Sequence, residues 1–308
     1  MSDDILSEMP FYNICNYELV EHLLFESDSV KAEICQNTDF YNIISSVSNN
    51  EILKQMKFSY CTDTEFNKQI SELGTKVELS VFHANIRSLN KNHRGLCHFL
   101  QLLQVDFDVI ILSEVWTYNL EFYRNIFKNY TFYYTVPEGT AVGGIGMFVK
   151  NTFTCNEIID LQLPSTPDNR VETLWLEISC SNLKYIVAGI YRHPNNKITD
   201  FSTKLENVLL KLSASRTPCI IAGDINIDIS KYSNHTETTA YVSNLLVNNF
   251  MLAIIMPTRI TSKSATLVDH IYYCEGNNCK KDLYLVSGNL WCDLTDHLPN
   301  YFILLLLL

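Results

Sequence analysis

An Asp-His pair, Asp296-His297, stands in L-T-D-H-L-P (294–299), just before the apolar run that closes the chain. Histidine can donate or accept a proton near neutral pH, and it needs a carboxylate to fix its tautomer. Asp269, at the end of T-L-V in T-L-V-D-H-I-Y (266–272), is the candidate orienter. Its neighbour His270 points to the opposite face of a strand and reads as structural. Three further polar islands lie upstream, each set into an apolar run: F-H-A-N-I-R-S-L (82–89), V-I-I-L-S-E-V-W (109–116) and C-I-I-A-G-D-I-N-I-D-I (219–229). Together they supply the parts of a metal-assisted phosphodiesterase.

Each residue has a chemical reading and a plainer one. Glu114, at the end of a buried strand, suits Mg²⁺, which prefers oxygen donors and takes few of them from protein; the alternative is a salt bridge at the rim. Asn85 offers a carboxamide to the metal or to a phosphate oxygen, or else caps the turn into the next helix. Arg87 and Ser88 beside it can do either job. Asp224 and Asn226 sit two apart, so on an extended segment they share a face and can hold a water and a phosphate oxygen; a structural Asp-x-Asn turn is the alternative. Asp296 is left free to bind metal or its water. In A-G-I-Y-R-H-P, Tyr191 can hydrogen-bond a phosphate oxygen and Arg192 can neutralise one, against an aromatic core plug beside an exposed arginine.

The elements that must carry these residues follow from the apolar pattern. Strands are expected at 77–84, 107–113, 131–136, 144–149, 171–179, 184–191, 218–223, 267–273 and 299–306, and helices at 91–104, 199–213 and 236–249. Gly143-Gly144 marks a tight entry into a strand. Runs without strict polar alternation imply two packed sheets covered by helices, with the site at one rim. Residues 1–76 hold two stretches of loose helical periodicity, 17–25 and 40–57, and no catalytic constellation. They read as an accessory extension, partly helical or disordered, before a catalytic domain at 77–308.

Net charge is −11, unfavourable for a strongly basic nucleic-acid binder. Most of it lies in residues 1–76, which carry 13 Asp/Glu against 5 Lys, so the catalytic part is nearly neutral. Any contact to DNA must then come from local Lys and Arg and from the metal. Ten cysteines include no C-x-x-C pair, and no secretory signal opens the chain, which points to a reducing nuclear or cytoplasmic setting. The closing Y-F-I-L-L-L-L-L is too short to span a bilayer and reads as a buried last strand.

Seven motifs in order, H-A-N-I-R-S-L, S-E-V-W, G-G-I-G-M-F-V-K, G-I-Y-R-H-P, A-G-D-I-N, L-V-D-H-I-Y and T-D-H-L-P, resemble the endonuclease/exonuclease/phosphatase superfamily. More closely, they look like the apurinic-type endonuclease domain of non-LTR retrotransposons. The resemblance implies a four-layered α/β sandwich of two packed mixed sheets flanked by helices. It also implies Mg²⁺-dependent nicking of one DNA strand, with Mn²⁺ as an alternative metal, leaving a 3′-hydroxyl to prime reverse transcription. By the same resemblance Asn85, Glu114 and Asp296 belong to the metal site and Asp224, Asn226, Asp269, His297 and Tyr191 to catalysis. Arg87, Arg192 and Thr266, the last at a position where the family often carries a small hydroxyl residue, are the candidate substrate-binding residues.

The chain departs from the pattern at Thr295, where Ser is usual, and at Val115, where Thr is usual. Arg87 stands where the DNA-repair branch has Asp, which favours the retroelement branch. No reverse transcriptase follows the last expected strand, as a full-length element would require, and the chain reads as a retroelement-derived fragment. The other readings are a phosphodiesterase acting on a non-DNA phosphoester and a catalytically inert remnant acting as a binding protein.

Overall fold

The computed structural model describes residues 57–306 except 74–75, 138–141, 182, 216 and 277–282. Two large mixed sheets stack face to face. The seven-stranded sheet runs β1 (Lys57–Cys61), β14 (Leu283–Leu290), β15 (Asn300–Leu306), β2 (Lys76–Asn85), β3 (Val109–Ser113), β5 (Ile145–Lys150), β4 (Tyr130–Thr135). The six-stranded sheet runs β10 (Met251–Leu252), β13 (Asp269–Cys274), β9 (Cys219–Asp224), β8 (Leu183–Arg192), β7 (Val171–Cys180), β6 (Thr154–Glu157). A small hairpin pairs β11 (Arg259–Ile260) with β12 (Ala265–Thr266).

The missing polar alternation has a direct cause. In the seven-stranded sheet successive residues alternate between two apolar neighbours. Leu79, Val81, Val109, Ile111, Phe302 and Leu304 face the core between the sheets. Phe82, Ala84, Ile110, Leu112, Ile303 and Leu305 face helices α1 (Asp63–Glu72) and α2 (Leu89–Leu102), which contribute Phe66, Leu89, Leu96 and Phe99. Helices α3 (Ile198–Ala214) and α4 (Thr236–Val247) cover the six-stranded sheet through Phe201, Leu205, Leu209, Tyr241 and Leu245. A strand buried on both faces needs apolar side chains on both. The result is the pair of helix-covered sheets expected from the pattern, and the four-layered sandwich that the resemblance implies.

Several elements were not legible, among them the short strands β6 and β10 to β12. Ahead of the boundary expected between 76 and 77, β1 pairs in parallel with β14 and α1 buries Phe66, so this stretch packs into the same fold. Apart from Lys57, the helical stretches expected at 17–25 and 40–57 lie outside the described residues. Strand β14 was missed because Ser287, Gly288 and Asn289 interrupt its apolar run; Ser287 and Asn289 are buried, with their side chains bonded to backbone carbonyls.

Candidate active site

Strand direction gathers the polar islands at one rim. Parallel pairing of β2 with β3 sets Asn85 beside Ser113, and parallel pairing of β8 with β9 sets Tyr191 beside Asp224. Antiparallel β13 starts where β9 ends, so Asp269 faces Asp224. Antiparallel β15 enters at the same edge, with Asn300 opposite His83, bringing His297 down beside both aspartates. Parallel strands deliver their C-terminal ends and antiparallel ones their N-terminal ends to the same edge.

At the centre, Asp269 Oδ2 is 2.8 Å from His297 Nδ1 and accepts a 2.7 Å bond from the Thr258 hydroxyl. Burial alone would lower the His297 pKa, but the charge of Asp269, its hydrogen bond and then the charge of Asp224 push it up to about 9. Asp269 shows the converse balance: burial raises it, and His297 more than offsets that, leaving its carboxyl below the usual range. His297 is thus an imidazolium at neutral pH, with Nδ1 committed to Asp269. Asp224 is fully buried; its Oδ2 accepts from Asn85 Nδ2 at 2.8 Å and its Oδ1 from the Asn226 backbone N–H at 3.0 Å. Burial first, then the charge of Asp269, raises its pKa to about 8. Beneath it, Ser113 Oγ accepts from the Asp224 N–H and lies 2.9 Å from His83 Nε2, fastening one sheet to the other.

Glu114 is buried just past β3 at φ +56, beside Arg87 at φ +40 and Ser88 at φ +91. Three non-glycine residues in the left-handed region are costly and cluster where a site demands them. The turn is held by backbone bonds from Ser88 N to Glu114 O and from Trp116 N to Gly143 O. The Tyr191 phenol lies within hydrogen-bonding reach of the Glu114 carboxylate, and burial together with that charge drives its pKa far up. Arg87 spans two acids, with Nη1 2.6 Å from Asp296 and Nε 4.0 Å from Glu114.

Several expectations change. Asn226 is not on an extended segment: at φ +52 it closes a turn, and its Nδ2 donates to the Arg192 carbonyl. The Asp-x-Asn pair is therefore a turn that aims Asp224. Arg192, expected to reach a phosphate or to lie exposed, does neither. It is 1% exposed and donates to the carbonyls of Ile225, Asn226 and Asn196, clamping that same turn. Thr266 pairs with Arg259 across the small hairpin, and its carbonyl accepts from Thr258 N. Asp296, expected at a metal, is held by Arg87 and by Arg259 Nε at 2.8 Å. His270 is buried against the carbonyls of Ile227 and Leu267, as its outward register implied. Thr258 and Arg259 went unnoticed because M-P-T-R-I-T reads as loop, and only its bridge to His297 gives it a role.

The donor set fits a divalent cation. Glu114, Asp224, Asp269 and Asp296 outnumber the cations Arg87, Arg259 and His297 around them. Asp269 Oδ1 is buried without a hydrogen-bond partner, and Asp224, Asp269 and His297 offer ligand atoms within 4.8 Å of one another. With His297 Nδ1 committed to Asp269, the oxygen donors of Glu114 and Asn85 beside this group are the better match for a hard cation.

A sequence profile of the Endonuclease/Exonuclease/phosphatase family matches residues 82–297. No curated protein sequence matches the chain. Among solved structures, the endonuclease domain of TRAS1, a telomere-specific non-LTR retrotransposon, superposes with a TM-score of 0.55 at 15% identity, covering 74% of this chain and 98% of that one. D. rerio TDP2 complexed with single strand DNA product gives 0.54 at 17% identity, covering 73% and 98%. The Bacteroides thetaiotaomicron mannosyl-6-phosphatase gives 0.53 at 16% identity, covering 74% and 99%. At such identities these likenesses show the fold alone. No helix among the described residues is long and apolar enough to cross a membrane.

Proposed function

The chain belongs to the endonuclease/exonuclease/phosphatase family of metal-dependent phosphoesterases and nucleases, and from that premise we propose that it is a Mg²⁺-dependent DNA endonuclease of retroelement type. The observation that carries the reading is the Asp269–His297 pair, joined at 2.8 Å, facing the buried Asp224 at a rim that also holds Glu114 and Asn85.

Glu114, with Asn85 beside it, would hold the cation, which supplies charge neutralisation at the scissile phosphate. Asp296 is a further oxygen donor once its guanidinium partners turn to the substrate. Asp224 orients the attacking water and, ionised once a cation's charge is beside it, would accept the water's proton. The water oxygen forms the new P–O bond as the bond to the 3′ oxygen breaks, and the departing 3′ oxygen takes a proton from solvent water, leaving a 5′-phosphate and a 3′-hydroxyl. His297 donates from its free nitrogen to a non-bridging phosphate oxygen, where negative charge builds up. Asn226 and Arg192 fix the turn that aims Asp224, and Tyr191 braces Glu114. Arg87 and Arg259, with side chains 36% and 39% exposed around Asp296, are placed to meet flanking phosphates.

The test is nicking of supercoiled plasmid with Mg²⁺ or EDTA, beside Asp224→Ala and His297→Ala. We expect metal-dependent nicking that falls by about 10²–10⁴-fold in each variant. Folded wild-type protein that leaves DNA intact but cleaves another phosphoester would replace the substrate. Cation binding without turnover on any phosphoester would mark an inert binding protein.

A further inference from the structure

Away from the chemistry just described lies a second carboxylate–imidazole pair. Glu172 on β7 and His193 just past β8 are each 4% exposed and joined through Oε1 and Nε2 at 3.1 Å. We propose that Glu172 and His193 form a positioning pair that holds Glu114 for its cation and so sets the cation affinity of the site. This rests on the reading of Glu114 as a cation ligand.

The pair touches both supports of Glu114. Glu172 Oε2 accepts from the Gly144 N–H at 3.3 Å. At Gly143, φ +114, an added Cβ would meet Glu172 Oε2 at 2.8 Å and Oε1 at 2.9 Å, so the carboxylate lies tight under this glycine backbone. The carbonyls of Gly143 and Gly144 in turn accept from Trp116 N and Val115 N, the residues that follow Glu114 out of its left-handed turn. On the other side Tyr191 stands opposite Glu172 in the strand register and packs its ring edge-on against His193, with centroids 4.8 Å apart. The Tyr191 phenol is the group that reaches the Glu114 carboxylate. One route therefore runs through backbone to the Glu114 turn and the other through a side chain to its oxygens. A buried carboxylate that merely filled volume could be replaced by an apolar side chain without the cost of desolvating a charge. Here both oxygens are spent on groups that lead to Glu114.

The experiment is binding of Mn²⁺, followed by electron paramagnetic resonance and by calorimetry, to wild type and to Glu114→Gln, Glu172→Gln, His193→Leu and His193→Gln, each checked for folding by circular dichroism. Partners behind a metal ligand typically shift affinity by 10–100-fold. We expect about a tenfold weaker Mn²⁺ affinity for Glu172→Gln and His193→Leu, with kcat at saturating metal close to that of wild type. His193→Gln, which keeps an N–H donor for Glu172, should retain the affinity. If Glu114→Gln loses Mn²⁺ while folded Glu172→Gln and His193→Leu bind it as wild type does, the pair is structural and the inference is overturned. If Glu114→Gln itself binds Mn²⁺ normally, the assignment of the cation ligand fails and the inference falls with it. Should Glu172→Gln not fold, the contrast between His193→Leu and His193→Gln decides.

Discussion

Asp269–His297 and Glu172–His193 are similar in covalent parts, burial and spacing, at 2.8 and 3.1 Å, yet their surroundings differ. Asp269 keeps one oxygen without a hydrogen-bond partner, and Asp224 and Asp296 add their charge to the same imidazole. Glu172 has both oxygens taken, one by His193 and one by a backbone N–H. Where like charges crowd and a valence stays open, the pair is available to a substrate or cation. Where every acceptor is filled, the same pair can only hold geometry. Chemical type alone does not separate the two histidines; on the proposed reading, the unfilled acceptor beside His297 does.

The sharpest way to break this contrast is to remove the carboxylate from the open pair. Asp269→Ala should approach the loss of His297→Ala, about 10²–10⁴-fold in cleavage. The double variant should be little worse, because the two act as a unit. Additive losses in plasmid nicking would mean that the two residues act separately.

A second test reads protonation directly. In wild type the His297 ring, followed by nuclear magnetic resonance, should titrate near 9, and in Asp269→Asn it should drop well below that as burial prevails. The stability consequence has a definite sign. A histidine raised from 6.5 to about 9 contributes fully below 6.5 and loses that contribution as pH rises through 9. The lowered Asp269 carboxyl contributes above its ordinary 3.8 and loses its share in acid. Thermal melts of wild type should therefore fall across the alkaline limb, and those of Asp269→Asn should be flatter there.

The smallest effect belongs to the second donor. Thr258→Val leaves His297 in place but removes a hydroxyl from Asp269, costing about 1 kcal/mol of stability by chemical denaturation. A loss of activity equal to that of Asp269→Ala would show that Thr258, and not His297, is the main support of this carboxylate.

Much of the rim was legible because strands buried on both faces end abruptly. A carboxylate or amide after V-I-I-L or I-I-A-G has nowhere to go but the edge. The register of β9 against β13 then follows from the same runs, and with it the meeting of Asp224 and Asp269. What stayed hidden depends on chain reversals. The period-two argument for Asn226 failed because its backbone turns left-handed after Asp224, and an Asn side chain tolerates that conformation. Arg192 looked solvent-bound because arginines usually are. Four carbonyls turned inward by neighbouring loops make its burial tolerable. Thr258 and Arg259 lie in a segment whose only signal is tertiary, the short bridge to His297.

Strand β15 slots between β14 and β2, and the segment feeding it carries His297. Thr295 there donates to the Asn85 carbonyl across 210 residues of chain. Contacts so remote in sequence require closure of a long loop, which makes them slow to form. During synthesis, a nascent chain extended only through β9 already owns Glu114 and Asp224 but has no imidazole to use with them. On the proposed reading, hydrolysis therefore has to wait until β15 has joined the sheet.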